Sequence, residues 1–335
     1  MSGQESALQM SSTSSEDGGW SAWANANGVV APKLTVRAPA PEERGKGGVF
    51  AAESIAPMEV IARIPRKLVI CPTEESAAPA AKAKECSWAT ELTAAALVGS
   101  SALSTTEGVG DDGITWPLGG GWATEAADLG GEDGRWGATD VVGTLVATGS
   151  DNDKNIYAKF RFPCHPVVHR AGQGLAALTR TKEADAREAL VRRGFAFRAM
   201  RDALIPLVAS PTPRWSKGSV RDRKSWDVAD TFSRVLARAT LVDLDEGASA
   251  PTPAILPLHE RLAHCDSRGE NAKVVGRNPN GDDDDVLLVA TRAIESGEAI
   301  TRDYESAPAL PGDETKGALR LLLQYGLPYS AWPDF

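Results

Sequence analysis

Short apolar runs separated by turn residues dominate the sequence from Leu34 onward. Apolar and β-branched runs bounded by glycine or proline are typical of short strands. The pattern predicts four strands in this part of the chain, at residues 34–37, 48–52, 59–64 and 68–70. Pro57, Pro65 and Pro72 separate them, and the interior of a strand does not tolerate proline. We therefore expect a small antiparallel β unit here.

Helical periodicity replaces this pattern in the middle of the chain. Apolar residues recur at helical spacing or alanine dominates in three stretches, at residues 73–100, 183–208 and 227–239. Strand-like runs then return, at residues 286–291 and 299–302, followed by a short helix or strand at 319–324. Strands therefore flank a middle that is rich in helices and loops.

A glycine-rich segment, Gly108–Gly137, lies within that middle part. It carries three spaced tryptophans, Trp116, Trp122 and Trp136. Two interpretations remain open: the rings pack on the surface of the same chain, or the segment docks onto another protein. The docking hypothesis predicts that proteases cut the segment until its partner is added.

Composition narrows the classes of function. Lys and Arg number 36 and Asp and Glu number 45, which gives a formal net charge of −9 and no electrostatic reason to expect nucleic acid as a partner. No apolar stretch approaches the roughly 20 residues that span a bilayer. The four cysteines are far apart in the sequence, so we expect neither a disulfide framework nor a structural zinc site.

Other patterns of metal-ligand residues are weaker. Cys164, His165 and His169 lack an evident fourth zinc ligand, and Asp282–Asp285 lacks the spacing of a calcium loop. We expect no metal site.

The N-terminus differs in composition from the rest of the chain. Residues 1–33 are expected to form a disordered or extended tail, since Met1–Gly19 is rich in Ser, Glu and Gly. The run Ala7–Ser12 resembles the junction that follows a plastid transit peptide, although an ordinary polar tail explains it equally well. The first interpretation predicts a plastid location, and the second an otherwise soluble intracellular one.

Motifs at the two ends of the chain carry a family resemblance. They are Gly45–Ile55, Glu59–Ile61 and Ile64–Leu68 near the start, and Ile255–Leu258, Ala263–Cys265, Ala293–Thr301, Tyr304 and Leu321–Leu327 near the end. In this order they resemble the SET domain of protein lysine methyltransferases. Their wide separation along the sequence is similar to that in one subgroup of the family, which includes the enzyme that methylates the Rubisco large subunit.

The resemblance implies an α+β fold, with a split SET-type β domain of short antiparallel strands and a helical and loop-rich insertion. The expected divisions after the tail are a SET N-terminal half at 34–72, an insertion at 73–254 and a SET C-terminal half at 255–335. Residues 231–239 resemble the helix that ends this insertion in the family. The helical substrate-binding domain of the Rubisco-type enzymes is not expected, because the sequence ends at Phe335.

The resemblance also implies a reaction, the transfer of a methyl group from S-adenosylmethionine to a lysine of a partner protein. The glycine-rich turn would let the backbone approach the cofactor, and the implied cofactor-binding residues are Gly45, Lys46, Gly47, Gly48, Ala263 and His264. Tyr304 would orient the lysine amine and the methyl group, and Tyr325 would line the lysine channel. These two tyrosines are the candidate catalytic residues.

Several positions depart from the family's pattern. Ala263 stands where the family has a cofactor-binding Asn, Lys46 falls on the first glycine of the turn, and Glu305 replaces the Gly after the tyrosine. Two functions therefore remain open. The chain is either an active methyltransferase or a catalytically inactive SET-fold subunit of a larger protein complex, such as a plastid photosynthetic complex.

Overall fold

The computed structural model describes residues 24–37, 48–85, 87–103, 196–208, 219–244, 250–265, 269–277, 285–316 and 320. Gly45, Lys46, Gly47 and Tyr325 lie outside these residues, as do the segment 108–137 and the element predicted at 319–324 apart from Arg320. The described residues divide into two compact units. The first combines the described parts of Met1–Ile70 and Thr240–Ser306, and the second those of Cys71–Gly108, Leu129–Ala239 and Ala307–Phe335.

A three-stranded antiparallel sheet forms the centre of the first unit. Its order is β3 (Val60–Ile64), β8 (Val286–Ala290) and β7 (Ala272–Arg277). All five residues of β8 are buried, as expected for a strand that is paired on both sides. The sheet therefore joins a strand near the start of the chain to two strands near its end.

Shorter pairings extend this unit. Strand β1 (Leu34–Arg37) pairs with β2 (Gly48–Ala51), and β4 (Thr240–Val242) pairs with β5 (Thr252–Ala254), both antiparallel. Three of the isolated bridges join the first part of the chain to the last, Phe50 with Ala299, Ile55 with Ile294 and Ile70 with Ile255. The two sequence halves therefore share one core.

Strand β7 contains an irregularity that only glycine allows. Its register against β8 shifts between Val275 and Arg277, where Gly276 forms a bulge. An added Cβ at Gly276 would lie 2.7 Å from the carbonyl carbon of Asp243 and closer still to its carbonyl oxygen. The missing side chain therefore lets the backbone after β4 pass directly against β7.

One pairing is parallel rather than antiparallel. The two-residue strands β6 (Ala263–His264) and β9 (Thr301–Arg302) run in the same direction, with Ala263 opposite Thr301 and His264 opposite Arg302. The expectation of short strands is confirmed, but the expectation of purely antiparallel pairing fails at this point. Parallel neighbours need a long connection, and here residues 265–300 supply it.

The second unit is helical. It contains α1 (Glu74–Ala80), α2 (Trp88–Leu103), a helical stretch over 196–204 and α3 (Val220–Arg238). A capping box starts α1, because the Thr73 side chain accepts from the Ser76 amide and the Ser76 hydroxyl accepts from the Thr73 amide. The rings of Phe197 and Phe232, 6.3 Å apart, pack in its core.

The structure also departs from the predicted elements. The helix expected over 73–100 is two helices, and the strand expected over 68–70 is the end of a 3-10 turn, Arg66–Leu68, with one bridge at Ile70. The tail expected over 1–33 does not extend to 24–33, because Ala24 and Ala31 are fully buried there. In the part of the chain that the structure describes, no helix is long and apolar enough to cross a membrane.

Candidate functional site

The β6–β9 pair brings three of the sequence-predicted residues together in the first unit. Ala263 and His264 form β6, and Tyr304 follows β9 at the start of a 3-10 turn. The amide of Cys265 donates to the carbonyl of Arg302 at 3.1 Å, which continues the pairing beyond β6. Side chains from two distant motifs are thereby placed in contact.

Tyr304 is held at both ends. Its hydroxyl donates to the carbonyl oxygen of Leu262 at 2.7 Å, and its backbone amide donates to Nδ1 of His264 at 3.3 Å. The two rings lie 5.1 Å apart and are tilted by 42°. Because the hydroxyl proton is engaged by a carbonyl, the phenol oxygen presents its lone pairs to any further donor. Tyr304 is therefore a fixed hydrogen-bond acceptor.

The bond from the Tyr304 amide also fixes the state of His264. A ring nitrogen that accepts a hydrogen bond carries no proton, so Nδ1 is unprotonated and the proton of the neutral ring lies on Nε2. His264 is half-buried. The pairing of β6 with β9 thus orients the imidazole as well as the tyrosine.

Gly48 lies beside the segment that leads into β6. Its φ of +154° is a conformation that favours glycine, and an added Cβ would lie 3.8 Å from the carbonyl oxygen of Arg261. The next residue in β2, Val49, accepts the amide of Ile300 through its carbonyl at 2.8 Å. Gly48, Ala263, His264 and Tyr304 therefore belong to one structural unit.

A fully buried side chain, Asn271, supports the strand that carries this site. Its Nδ2 donates to the carbonyl of Ala299 at 2.8 Å, and its Oδ1 accepts the amide of Thr301 at 2.8 Å. One side chain thus bonds the backbone as a neighbouring strand would. Glu298 accepts from Arg292 at 2.6 Å, and this hydrogen bond is the main reason why the pKa of Glu298 is lowered.

The sequence did not point to Arg302 or His259, which lie next to this site. The Arg302 side chain is 3% exposed, and its guanidinium carbon lies 4.7 Å from the centre of the Tyr304 ring. Its Nε and Nη2 atoms are buried and have no hydrogen-bond partner within the described part of the chain. The sequence did contain a signal for the burial of Arg302. Residues two apart in a strand face the same side, and Ile300 is fully buried.

His259 is 4% exposed, and its buried Nδ1 has no hydrogen-bond partner in the part of the chain that the structure describes. The residue before it, Leu258, adopts φ 69° and ψ −53°, and the His259 amide donates to the carbonyl of Pro257 at 2.8 Å. This is a γ-turn of the strained kind, which costs on the order of 1–3 kcal/mol. The strained turn at Leu258 directly precedes His259 and so helps to set the position of its buried imidazole.

The position of His259 predicts a pH dependence of stability. Burial lowers its pKa well below 6.5, and the charge of Arg302 lowers it further. Below pH 6.5 the unfolded chain binds a proton at this residue that the folded chain does not. The free energy of unfolding therefore decreases as the pH is lowered, by up to about 1.4 kcal/mol per pH unit. Urea unfolding at about pH 7.5 and about pH 5 measures this loss.

The variant His259→Gln isolates this contribution, because glutamine does not titrate. We expect its stability to fall less than that of the wild type over the same interval. The carboxylates with lowered pKa values, Glu59, Asp202 and Glu298, have ordinary values of 4.5, 3.8 and 4.5, so their losses come mainly at lower pH. Equal losses in the two proteins would contradict the assignment to His259.

No group of three or more metal-ligand side chains is found among the residues that the structure describes. Cys164, His165 and His169 lie outside them. Glu305, which the family's pattern would have as glycine, is exposed.

Comparisons with known proteins give similarities to solved structures alone. No family model matches the chain, and no curated protein matches it. The SET domain of LSMT bound to lysine and AdoHcy is 15% identical with a TM-score of 0.45, and the match covers 92% of this chain and 56% of that one. Rubisco LSMT bound to AdoMet is also 15% identical, with a TM-score of 0.43 and coverages of 92% and 55%. The chain thus spans about half the length of these solved chains.

Proposed function

We propose that this protein is a SET-type protein lysine N-methyltransferase that uses S-adenosylmethionine. The observation that carries the proposal is the Tyr304 hydroxyl, which is fixed as an acceptor by Leu262 and lies beside the His264 ring. Gly48, Ala263, His264 and Tyr304, taken from separate SET-like motifs, belong to the same unit. In this proposal the described parts of 34–72 and 255–335 supply the two halves of a split SET domain.

The chemistry asked of these residues is mainly alignment. A lysine side chain has a pKa near 10.4, so its amine must lose a proton before it can attack a methyl group. The lone pairs of the Tyr304 oxygen can accept an amine N–H and hold the nitrogen in line. When bound, S-adenosylmethionine would supply the activated methyl group and leave as S-adenosylhomocysteine. The amine would lose its proton to solvent before the transfer, and the residues of this chain would position it.

The described residues fit this cofactor in part. Gly48 places backbone without a side chain near Arg261, and the backbone of Ala263 and His264 borders the same region. Arg302 acts on the two charges of the cofactor in opposite ways, since a buried guanidinium repels its sulfonium and attracts its carboxylate. Gly48, Ala263 and His264 are the residues that would hold the cofactor, together with Gly45, Lys46 and Gly47.

A second function is favoured by a specific observation. The methyl side chain of Ala263 provides no hydrogen bond, and the adjoining Arg302 adds an uncompensated charge. A chain that binds no cofactor would serve as a structural or interaction subunit of a larger protein complex. The plastid location and the docking of residues 108–137 remain predictions from the sequence alone.

Calorimetry and a methyl-transfer assay separate the two functions. The methyltransferase proposal expects S-adenosylmethionine to bind the purified protein and labelled methyl groups to appear on lysines of a co-purified or candidate partner. Binding without transfer to any partner protein would favour the subunit function. If neither S-adenosylmethionine nor S-adenosylhomocysteine binds at millimolar concentration, the methyltransferase proposal is wrong.

The substitution Ala263→Asn is expected to tighten cofactor binding about tenfold. It would add one hydrogen bond to a charged group, worth about 1.4 kcal/mol. The matched control is Ala263→Leu, because leucine has the size of asparagine without its hydrogen-bonding groups. Calorimetric Kd values for the three proteins test this. Equal or weaker binding by the asparagine variant than by the leucine variant would argue against a pocket at Ala263.

A further inference from the structure

One edge of the Arg302 guanidinium is buried and unmatched. Its Nε and Nη2 atoms lie on the same side of the planar group, and neither has a hydrogen-bond partner among the residues that the structure describes. The Tyr304 ring covers the face of the guanidinium, with 4.7 Å from its carbon to the ring centre, but a ring face cannot satisfy the edge. Among the described residues, no carboxylate forms a salt bridge with it.

This arrangement is costly unless another group completes it. The guanidinium of arginine is a cation, so the cost of burying its edge is that of burying an ion. A buried charge without a counter-charge is normally paired or absent. His259 does not help, because its imidazole is neutral in this environment and its Nδ1 is itself without a partner. Among the residues that the structure describes, none supplies an anion to this edge.

The geometry of the edge defines which anion fits. The Nε–H and one Nη2–H bonds point in parallel, which matches the two oxygens of a planar carboxylate. A phosphate dianion would bring further oxygens and a second charge, for which this edge has no additional donors. We propose that the buried edge of Arg302 binds the carboxylate of a small molecule.

Two sources can supply that carboxylate. One is a free small carboxylate, such as formate or acetate. The other is the amino-acid carboxylate of S-adenosylmethionine, and this source rests on the function proposed above. The second has an electrostatic rationale, because the carboxylate would offset the repulsion between Arg302 and the sulfonium. In either case the bound molecule pairs a charge that the described residues leave unpaired.

Thermal unfolding of the full chain in sodium formate, compared with sodium chloride at equal ionic strength, tests the site directly. Formate at tenfold excess over its Kd is expected to raise Tm by about 2–4 °C relative to chloride. Arg302→Met should abolish this response and leave the variant at least as stable in chloride as the wild type, since an unpaired buried charge is removed. No formate-specific shift in the wild type, or the same shift in Arg302→Met, would overturn the proposal.

Arg292→Met is the matched control. It removes the same charge from the same unit, but Arg292 is partly exposed and already paired with Glu298. We expect it to keep the full formate response. A lost response in this variant as well would show that formate acts through overall charge, and the site at Arg302 would be excluded.

Two nucleosides distinguish the sources. S-adenosylhomocysteine carries the amino-acid carboxylate and 5′-methylthioadenosine lacks it. If the cofactor supplies the carboxylate, Arg302→Met weakens binding of S-adenosylhomocysteine at least tenfold and leaves 5′-methylthioadenosine unchanged. If both nucleosides bind and Arg302→Met alters neither, only the formate response supports the site. If neither binds the wild type, the methyltransferase proposal fails, and formate still decides the question at Arg302.

Histidine titration gives an independent readout. The chain has 4 histidines, so two-dimensional NMR can follow each ring, and the variant His259→Gln identifies the signal of interest. A carboxylate on Arg302 would offset the charge that lowers the pKa of His259. The pKa of His259 is therefore expected to rise in saturating formate and to stay unchanged in chloride. A titration that formate leaves unaltered would contradict the site.

Discussion

Gly276→Ala is expected to destabilise the first unit by about 3 kcal/mol or more, or to prevent its folding. The added methyl group would overlap the backbone carbonyl of Asp243, and backbone atoms cannot rotate away as a flexible side chain would. To relieve the overlap, the segment after β4 must move away from β7, or the bulge that β7 forms against β8 must change. Urea unfolding of the variant and the wild type measures the difference.

Gly297→Ala provides the control. Gly297 has φ +83°, and an added Cβ there meets nothing within 4 Å. The cost is then limited to the strain of an unfavourable backbone conformation, about 1–2 kcal/mol. If Gly276→Ala costs no more than Gly297→Ala, the close approach of Asp243 to β7 is not a feature of the folded protein.

Tyr304→Phe is expected to reduce methyl transfer about 100-fold or more while the protein remains folded. The substitution removes one oxygen, which accepts the lysine amine in the proposed mechanism. Leu262 loses its hydrogen-bond donor at the same time, so stability should fall by about 1 kcal/mol. The rate of transfer to the partner protein and the urea midpoint are measured on the same preparation.

The pattern of kinetic parameters matters more than the size of the loss. A group that acts on the reacting amine lowers kcat, whereas cofactor affinity by calorimetry should change little. A threefold or smaller loss of kcat in a folded Tyr304→Phe protein would remove the hydroxyl from the mechanism. If Tyr304→Phe does not fold, its loss of activity says nothing about the hydroxyl. Tyr304→Trp, which keeps an aromatic ring and lacks the hydroxyl that bonds Leu262, then serves as a second variant.

Much of the β structure was predictable because local pattern and final structure agree. Strand β1 matches the prediction at both ends, and β8 differs by a single residue. Strand β1 alternates apolar and polar residues, and β8 is an uninterrupted apolar run. Strand β5 was not predictable, because Pro253 lies at its centre. It is tolerated there because β5 pairs only with β4 and has an open edge in the described part of the chain.

The candidate site shows the same division. Motif spacing pointed to Ala263, His264 and Tyr304, and the structure brings them together. Motif spacing could not reveal that Asn271 holds β9 or that Arg302 and His259 are buried. Those facts depend on which residues from distant segments face one another, and no local period encodes that. The alternation of residues along the strand, which places Arg302 on the same face as the apolar Ile300, was the signal in the sequence for its burial.

The central sheet has a consequence for how the protein is made. Val60 in β3 pairs with Val289 in β8, a separation of 289 − 60 = 229 residues. Closing a loop of that length costs about 5 kcal/mol of chain entropy, and β8 must leave the ribosome before the loop can close. Until then the apolar face of β3 has no partner strand, which is a condition that favours chaperone binding or aggregation.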